Sequence, residues 1–228
     1  LDKLIERSGE DQSELTDQLG LQVREAIELL VQAIDRADRS DRKGRLLDGV
    51  DDATLYEAAV TVMMRLVFVF YAEEQGLLPL ALSPLSTELR NQASRDGEDV
   101  LDRRSTAWSR MLATFRAIHG GAHHQDMQLI AHGGGLFDPD RFPFLEGREP
   151  GSLWREGEGA PLPITDRMAL LLLEALQFLR IPLPGGKSET RRLSFRELDV
   201  EQIGHIYEGL LDHTVVRAEG AVLSLKGK

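Results

Sequence analysis

The chain has 228 residues, 42% of them hydrophobic, enough to build a core, and acids outnumber bases 38 to 27 for a net charge of −11. That balance excludes a surface covered in phosphate contacts, which needs clustered Lys and Arg, but leaves a local basic strip open. The absence of cysteine excludes disulfides and thiolate metal sites and fits a reducing cytoplasm, the expected location.

No apolar run is read as transmembrane, and no membrane partner is expected. The start, Leu1-Asp2-Lys3-Leu4, is no signal peptide, and without an initiator Met it points to a trimmed fragment. In chain order, a first long helix is predicted from about Ser13 to Asp38. Leu15, Leu19, Val23, Ile27, Leu30 and Ile34 recur at three- and four-residue steps, and Ser13 is the expected cap. Arg39 to Gly49 is charged and glycine-punctuated, so it reads as a loop. A second helix should start at an Asp51 or Asp52 cap, end at Gln75 and stop at Gly76. Its middle, Ala58 to Tyr71, is apolar nearly all round, interrupted by Thr61 and Arg65. Val60, Val62, Val67 and Val69 argue locally for a strand, but more than twenty residues between an acidic cap and a glycine are too many for one.

Shorter helices are expected at Pro84 to Ala93 and Thr106 to Ile118, the latter with Trp108, Met111, Leu112, Phe115 and Ile118 inward, with a polar mobile segment, Arg95 to Arg104, between them. Residues 120–163 are rich in glycine and proline, with nine of the 21 glycines and five of the nine prolines. Leu136, Phe137, Phe142, Phe144, Leu145 and Trp154 suggest a long loop that packs down. A fifth helix fits Asp166 to Leu179, capped by Thr165, and a sixth runs from after Asp199 to Asp212. Thr214 to Ala218 and Ala221 to Leu225 are β-prone and joined by Glu219-Gly220, a tight hairpin. The fold class is therefore mainly α: one irregular multi-helix domain over 1–228, with a packed Gly/Pro-rich loop and a small C-terminal β-hairpin at 214–228.

Several constellations could carry chemistry. His119, His123, His124 and His132 lie in one short stretch beside Asp126, and imidazole with carboxylate suits zinc or iron. Their spacing matches no helical two-histidine device, and a polar loop after a helix explains them as well. Gly186-Lys187-Ser188 looks like the tail of a P-loop but lacks the earlier glycine, since Ile181 stands there, and reads as a solvent loop. Asp41-Arg42-Lys43 resembles half of a restriction nuclease site without the preceding acidic strand residue. Gly204 and Gly209 lie within a helical pattern, where they cost stability relative to alanine. Close approach of another backbone would account for them, making Gly204, Tyr207, Glu208 and Gly209 candidates for an interdomain contact; a core tyrosine and a solvated acid explain Tyr207 and Glu208 equally. No catalytic, cofactor or metal residue is assigned.

Three stretches carry a resemblance: Val67-Phe68-Val69-Phe70-Tyr71-Ala72-Glu73-Glu74-Gln75-Gly76-Leu77-Leu78-Pro79, then Gly134-Gly135-Leu136-Phe137-Asp138-Pro139-Asp140-Arg141-Phe142-Pro143-Phe144-Leu145, then Leu198 to Asp212 with Tyr207-Glu208-Gly209-Leu210-Leu211. In this order and spacing they resemble type IIG restriction–modification DNA adenine methyltransferases and their relatives in BREX and DISARM phage-defence systems. In that family the stretches lie in a mostly helical region just upstream of the methyltransferase domain. The resemblance spans about Leu55 to Leu211 and implies a parent protein that uses S-adenosylmethionine, methylates adenine N6 in DNA and in some members carries an endonuclease. The family's glycine-rich cofactor loop and Asn-Pro-Pro-Tyr motif, which holds the flipped adenine, do not occur in residues 1–228, so no catalytic role is carried over. The expected function is a non-catalytic helical spacer, with the methyltransferase domain adjoining Val215 to Lys228 and DNA bound through the parent. The alternative is a protein–protein interaction module of a defence complex, and a remote third is a metal-dependent enzyme at the histidines. Arg103, Arg104 and Arg110, and a second cluster of Arg191, Arg192 and Arg196, are the candidates for DNA contact; ordinary solvated arginines are the competing description.

Overall fold

The computed structural model describes the backbone of residues 2–40, 47–79, 81–125, 127–157, 159–183, 187–197, 201, 204, 207–208, 210, 213–217 and 223–227. The molecule is mainly helical, with a small antiparallel hairpin near the C-terminus. Helix α1 spans Asp2–Ser40, α2 Asp52–Glu74, α3 Leu85–Asp96, α4 Thr106–Gly120 and α5 Asp166–Gln177. Among the described residues six short strands pair as three separate antiparallel ribbons: β1 (Ala122–His124) with β2 (Met127–Leu129), β3 (Phe178–Leu183) with β4 (Lys187–Arg192), and β5 (His213–Arg217) with β6 (Leu223–Gly227).

Helix α2 is the central post. The Asp51 carboxylate accepts the Thr54 N–H at 2.6 Å, and that bond holds its pKa below the ordinary carboxylate value. Gly76, at φ +69°, ends the helix. Both ends are as the sequence predicts. Leu55, Val62, Met63, Leu66 and Val69 are fully buried, and α1 packs along both α2 and α5. Each such side chain removed from water contributes about 1.5–3 kcal/mol. By length and composition α2 could cross a membrane, contrary to the sequence reading, but 72% of its most apolar window is buried within the protein.

Helix α1 extends well before the expected start, and Ser13 lies inside it rather than capping it. No proline interrupts Asp2 to Ser13, and a single glycine, Gly9, costs a helix only about 1 kcal/mol. The expected loop from Arg39 to Gly49 is a turn at 47–49; residues 41–46 lie outside the described residues. The segment Arg95 to Arg104, expected to be mobile, is pinned. It closes α3, forms a 3-10 turn at Glu98–Val100 and buries Leu101 completely. The Arg104 carbonyl accepts Asp166 N–H at 2.7 Å, and Arg167 donates to Asp102 and Glu98.

Helix α4 buries the predicted stripe, but its own cap residue, Ser105, makes no capping bond. Asp166, at the start of α5, supplies one instead. Its carboxylate accepts Ala107 N–H at 2.7 Å and the Thr106 hydroxyl at 2.9 Å, while Thr165 caps α5 through Met168 N–H as expected. One buried acid thereby ties two helix N-termini together, where negative charge is favoured.

The long loop 120–163 packs as predicted but is not devoid of regular structure: β1–β2 and a 3-10 turn at Pro143–Glu146 lie within it. Helix α5 stops at Gln177, so Leu179 belongs to β3. The segment predicted as a solvent loop places Lys187 and Ser188 on β4, with Gly186 outside the described residues. The C-terminal hairpin forms in a different register. A two-residue Glu219-Gly220 turn would pair Ala218 with Ala221, whereas Arg217 faces Leu223 and Val215 faces Leu225, a one-residue slip that exchanges faces along one strand. Residues 218–222 lie outside the described residues. Of the sixth helix, Glu201, Gly204, Tyr207, Glu208 and Leu210 are described and helical.

Candidate functional site

The three stretches singled out by resemblance meet on α2. In the first, Glu73 accepts the backbone N–H groups of Leu82 and Ser83, the latter at 3.1 Å, and so fastens the connection to α3. Glu74 accepts Arg196 N–H at 3.0 Å, while the Arg196 Nε donates to the Glu74 carbonyl at 2.6 Å. In the second, Arg65 reaches out of the middle of α2. Its Nε donates to the Leu136 carbonyl at 2.5 Å and its Nη2 to the Asp138 carbonyl at 2.9 Å. Phe137 packs edge-on against Phe68 at 5.3 Å and tilted against Phe115 at 5.9 Å. In the third, the Tyr56 hydroxyl donates to the Leu210 carbonyl at 2.7 Å.

Arg65 is 3% exposed, and burial pushes its guanidinium down to about 10, opposed chiefly by the charge of Glu146. It remains protonated at neutral pH. Stacked on the Phe115 ring at 5.5 Å, it joins α2 to α4 and to the Gly/Pro-rich loop at once.

A second buried arginine organises the loop itself. The Arg148 side chain is fully buried and donates to the Glu146 carboxylate at 2.7 Å, the Ser152 carbonyl at 2.7 Å, the Pro139 carbonyl at 2.6 Å and the Asp140 carboxylate at 2.8 Å. Glu146 also takes both prongs of Arg116 from α4, and Asp140 also accepts Trp154 N–H at 2.7 Å. Gly147, at φ +64°, lies where a Cβ would meet the Ala160 carbonyl oxygen at 1.9 Å, so only glycine fits this turn. Gly133 and Gly134 likewise have positive φ, a backbone path that favours glycine.

The candidate DNA contacts differ in how far they are already committed within the protein. Arg103 is ion-paired with Asp99, and Arg110 with Glu88 at 2.6 Å; Arg104 is exposed. Arg191 and Arg192 are exposed on β4, but Arg196 is committed to the end of α2. At Gly204 nothing lies within 4 Å of where a Cβ would stand, so no described residue makes the close backbone approach that was expected there. Tyr207 is half-buried against the core, Glu208 is exposed, and Gly209 lies outside the described residues.

The histidines do not converge. His123 and His124 are exposed on β1, His132 donates its backbone N–H to the Ile118 carbonyl, and the His119 ring meets Trp154 edge-on with a sealed Nδ1 that has no hydrogen-bond partner. Among the described residues no group of three or more His, Asp or Glu side chains is placed to hold a metal; Asp126 lies outside them. The Asp41-Arg42-Lys43 segment also lies outside the described residues. Lys187-Ser188 sits on a strand-to-strand ribbon rather than at a helix N-terminus, the context a phosphate loop needs.

A cleft of about 520 Å3 opens between α1, α5 and β3, with Leu29, Leu171 and Phe178 among its walls. The charged groups there are Glu25, Arg180 and the Arg90–Glu174 pair, in which Arg90 Nε donates to Glu174 at 2.6 Å. Sequence reasoning missed Arg116, Glu146, Arg148 and Asp166, and noted Arg65 only as an interruption. A lone arginine inside an apolar helix was the one available signal. In comparisons with known proteins, no family model, curated protein or solved structure matches the chain significantly.

Proposed function

We propose that these residues form the non-catalytic helical region of a cytoplasmic DNA restriction–modification protein of a phage-defence system, leading into an adenine-N6 methyltransferase domain. The observation that supports this reading is the convergence of all three resembling stretches on α2. The first stretch forms the C-terminal end of α2, the second fastens to α2 through Arg65, and the third through Tyr56. Their joint occurrence then reflects one folded unit. In this reading S-adenosylmethionine and the target adenine belong to the adjoining domain, and this region holds that domain in place through the open side of the helix bearing Gly204.

The test is the coding sequence beyond Lys228 together with the activity of the whole protein. A glycine-rich loop and Asn-Pro-Pro-Tyr in frame, with methyl transfer from S-adenosylmethionine to adenine in duplex DNA, are the expected results. A frame that ends without them removes the methyltransferase reading and leaves the interaction-module alternative. Stoichiometric S-adenosylmethionine binding by residues 1–228, measured by calorimetry, would overturn the non-catalytic assignment.

A further inference from the structure

The charges of this acidic chain are unevenly spent. On the helices and the connection between α3 and α4, Arg90, Arg103, Arg110 and Arg167 are ion-paired with carboxylates. On the β3–β4 ribbon they are not. Among the described residues no carboxylate pairs with Arg180, Arg191 or Arg192, and all three are exposed. The ribbon sequence Phe178–Arg192 carries four bases (Arg180, Lys187, Arg191, Arg192) against one acid, Glu189, in a chain of net charge −11.

The register sorts these residues. Phe178 faces Arg192 and Arg180 faces Thr190, so these four share one side of the ribbon. Phe178 is half-buried at the root, while Arg180, Thr190 and Arg192 are exposed. Arg180 and Arg192 are diagonal cross-strand neighbours, about 7–8 Å apart on such a ribbon. Arg191 stands on the opposite side, across from Leu179.

We propose that the β3–β4 ribbon is a duplex-DNA contact, with Arg180, Arg191 and Arg192 on phosphates and the Thr190 hydroxyl beside them. Arginine and threonine side chains are standard phosphate donors. A two-stranded β-ribbon is one of the two elements that the B-DNA major groove admits. The occupant is chosen by charge complementarity: three exposed arginines without a carboxylate partner among the described residues are gathered on one ribbon, while Arg90, Arg103, Arg110 and Arg167 elsewhere are ion-paired. Glu25, on the α1 wall of the cleft that this face overlooks, is the nearby acid that opposes it, since Glu174 is taken by Arg90. The inference deepens the function proposed above by naming where DNA touches this region, and its test needs no methyltransferase.

The assay is fluorescence anisotropy of the 228-residue chain with a labelled duplex of unrelated sequence, from 50 to 200 mM salt. Removing one arginine–phosphate interaction lowers the slope of log K against log salt by about 0.9. Three such interactions therefore account for about 40-fold of the weakening over that fourfold salt range. The triple variant R180Q/R191Q/R192Q is expected to shed that salt sensitivity, whereas R103Q/R110Q stays within about twofold of the parent chain. Glu25→Gln, which leaves the ribbon untouched, is expected to tighten binding and keeps the test decisive if the triple variant fails to fold by circular dichroism. No duplex binding at 50 mM salt overturns the proposal, as do equal reductions in both arginine variants, weaker binding by Glu25→Gln, or a preference for single strands or polyglutamate. Ribbon-dependent binding without a downstream methyltransferase frame keeps this inference and discards the parent reading; the reverse result does the opposite.

Discussion

Replacing Arg148 by methionine tests whether the Gly/Pro-rich loop is held by charge. The side chain is fully buried, and its donors serve two carboxylates and two backbone carbonyls. Methionine keeps much of the length and removes every donor. Glu146 retains Arg116, and Asp140 retains the Trp154 N–H. The groups left without a side-chain donor are therefore the Pro139 and Ser152 carbonyls and the residual charge of Asp140. Breaking a buried ion pair from one side commonly costs about 3–5 kcal/mol, and each orphaned buried acceptor about 1–3 kcal/mol. Because the two acids keep other partners, about 4 kcal/mol is expected. For a chain of this size that corresponds to a fall in Tm of roughly 8–16 °C. Arg116→Met removes a half-exposed partner while Glu146 keeps Arg148, so it should cost about 1 kcal/mol. Urea unfolding followed by circular dichroism measures both, and protease cleavage within residues 133–159 reports local opening. A loss of less than 1 kcal/mol in Arg148→Met, without new cleavage in the loop, refutes the argument.

Three other outcomes follow from named contacts. Asp166→Ala removes the acceptor for Ala107 N–H and the Thr106 hydroxyl and should lower stability by about 3 kcal/mol in urea unfolding, since hydrogen bonds to a charged group contribute about 1.5–3 kcal/mol each. Gly204→Ala should stabilise this chain by up to about 1 kcal/mol, because the added methyl meets open space in a helix; a loss in thermal melting would mean a neighbour occupies that side. The Tyr56 hydroxyl is pushed up to about 12 by burial, so the folded state keeps its proton where the unfolded chain has lost it. Its contribution is complete below pH 10 and drains away between pH 10 and 12, a fall in stability that Tyr56→Phe should lack when unfolding is followed across that range.

The parts of the fold that local chemistry determines were legible. The ends of α2 are written in Asp51, Thr54 and Gly76, and the buried face of α4 in the spacing of Trp108, Met111, Phe115 and Ile118. Legibility fails where distant residues decide. Arg65 looked like a defect in an apolar helix because its acceptors are backbone carbonyls 71 and 73 residues away. Leu101 anchors a segment whose other apolar side chain is the adjacent Val100, and two neighbouring apolar residues give no periodicity to detect. The β3–β4 ribbon was hidden by Pro182, which argues against a central strand; a two-stranded ribbon has only edges, where a missing N–H is tolerated. The C-terminal hairpin was found but its register was not, because Glu219-Gly220 favours a tight turn that the observed pairing does not use.

The same distinction bears on how an acidic chain can meet DNA. Net charge describes the molecule at long range, but at about 0.15 M salt exposed charges are screened beyond roughly 8 Å. Carboxylates beyond that distance from a bound phosphate contribute little, and several are already matched, as Asp99, Glu88 and Glu174 are by Arg103, Arg110 and Arg90. What a phosphate meets at the ribbon is the local balance: Arg180 and Arg192 on one side, Arg191 beside Glu189 on the other, and Glu25 across the cleft. That balance favours the anion. Internal pairing thus has two consequences. It fixes the packed loop against the helices through Glu57 and Glu146, and internally through Asp140. It also commits Arg90, Arg103 and Arg110, while Arg180, Arg191 and Arg192 stand together on the ribbon with no carboxylate partner among the described residues.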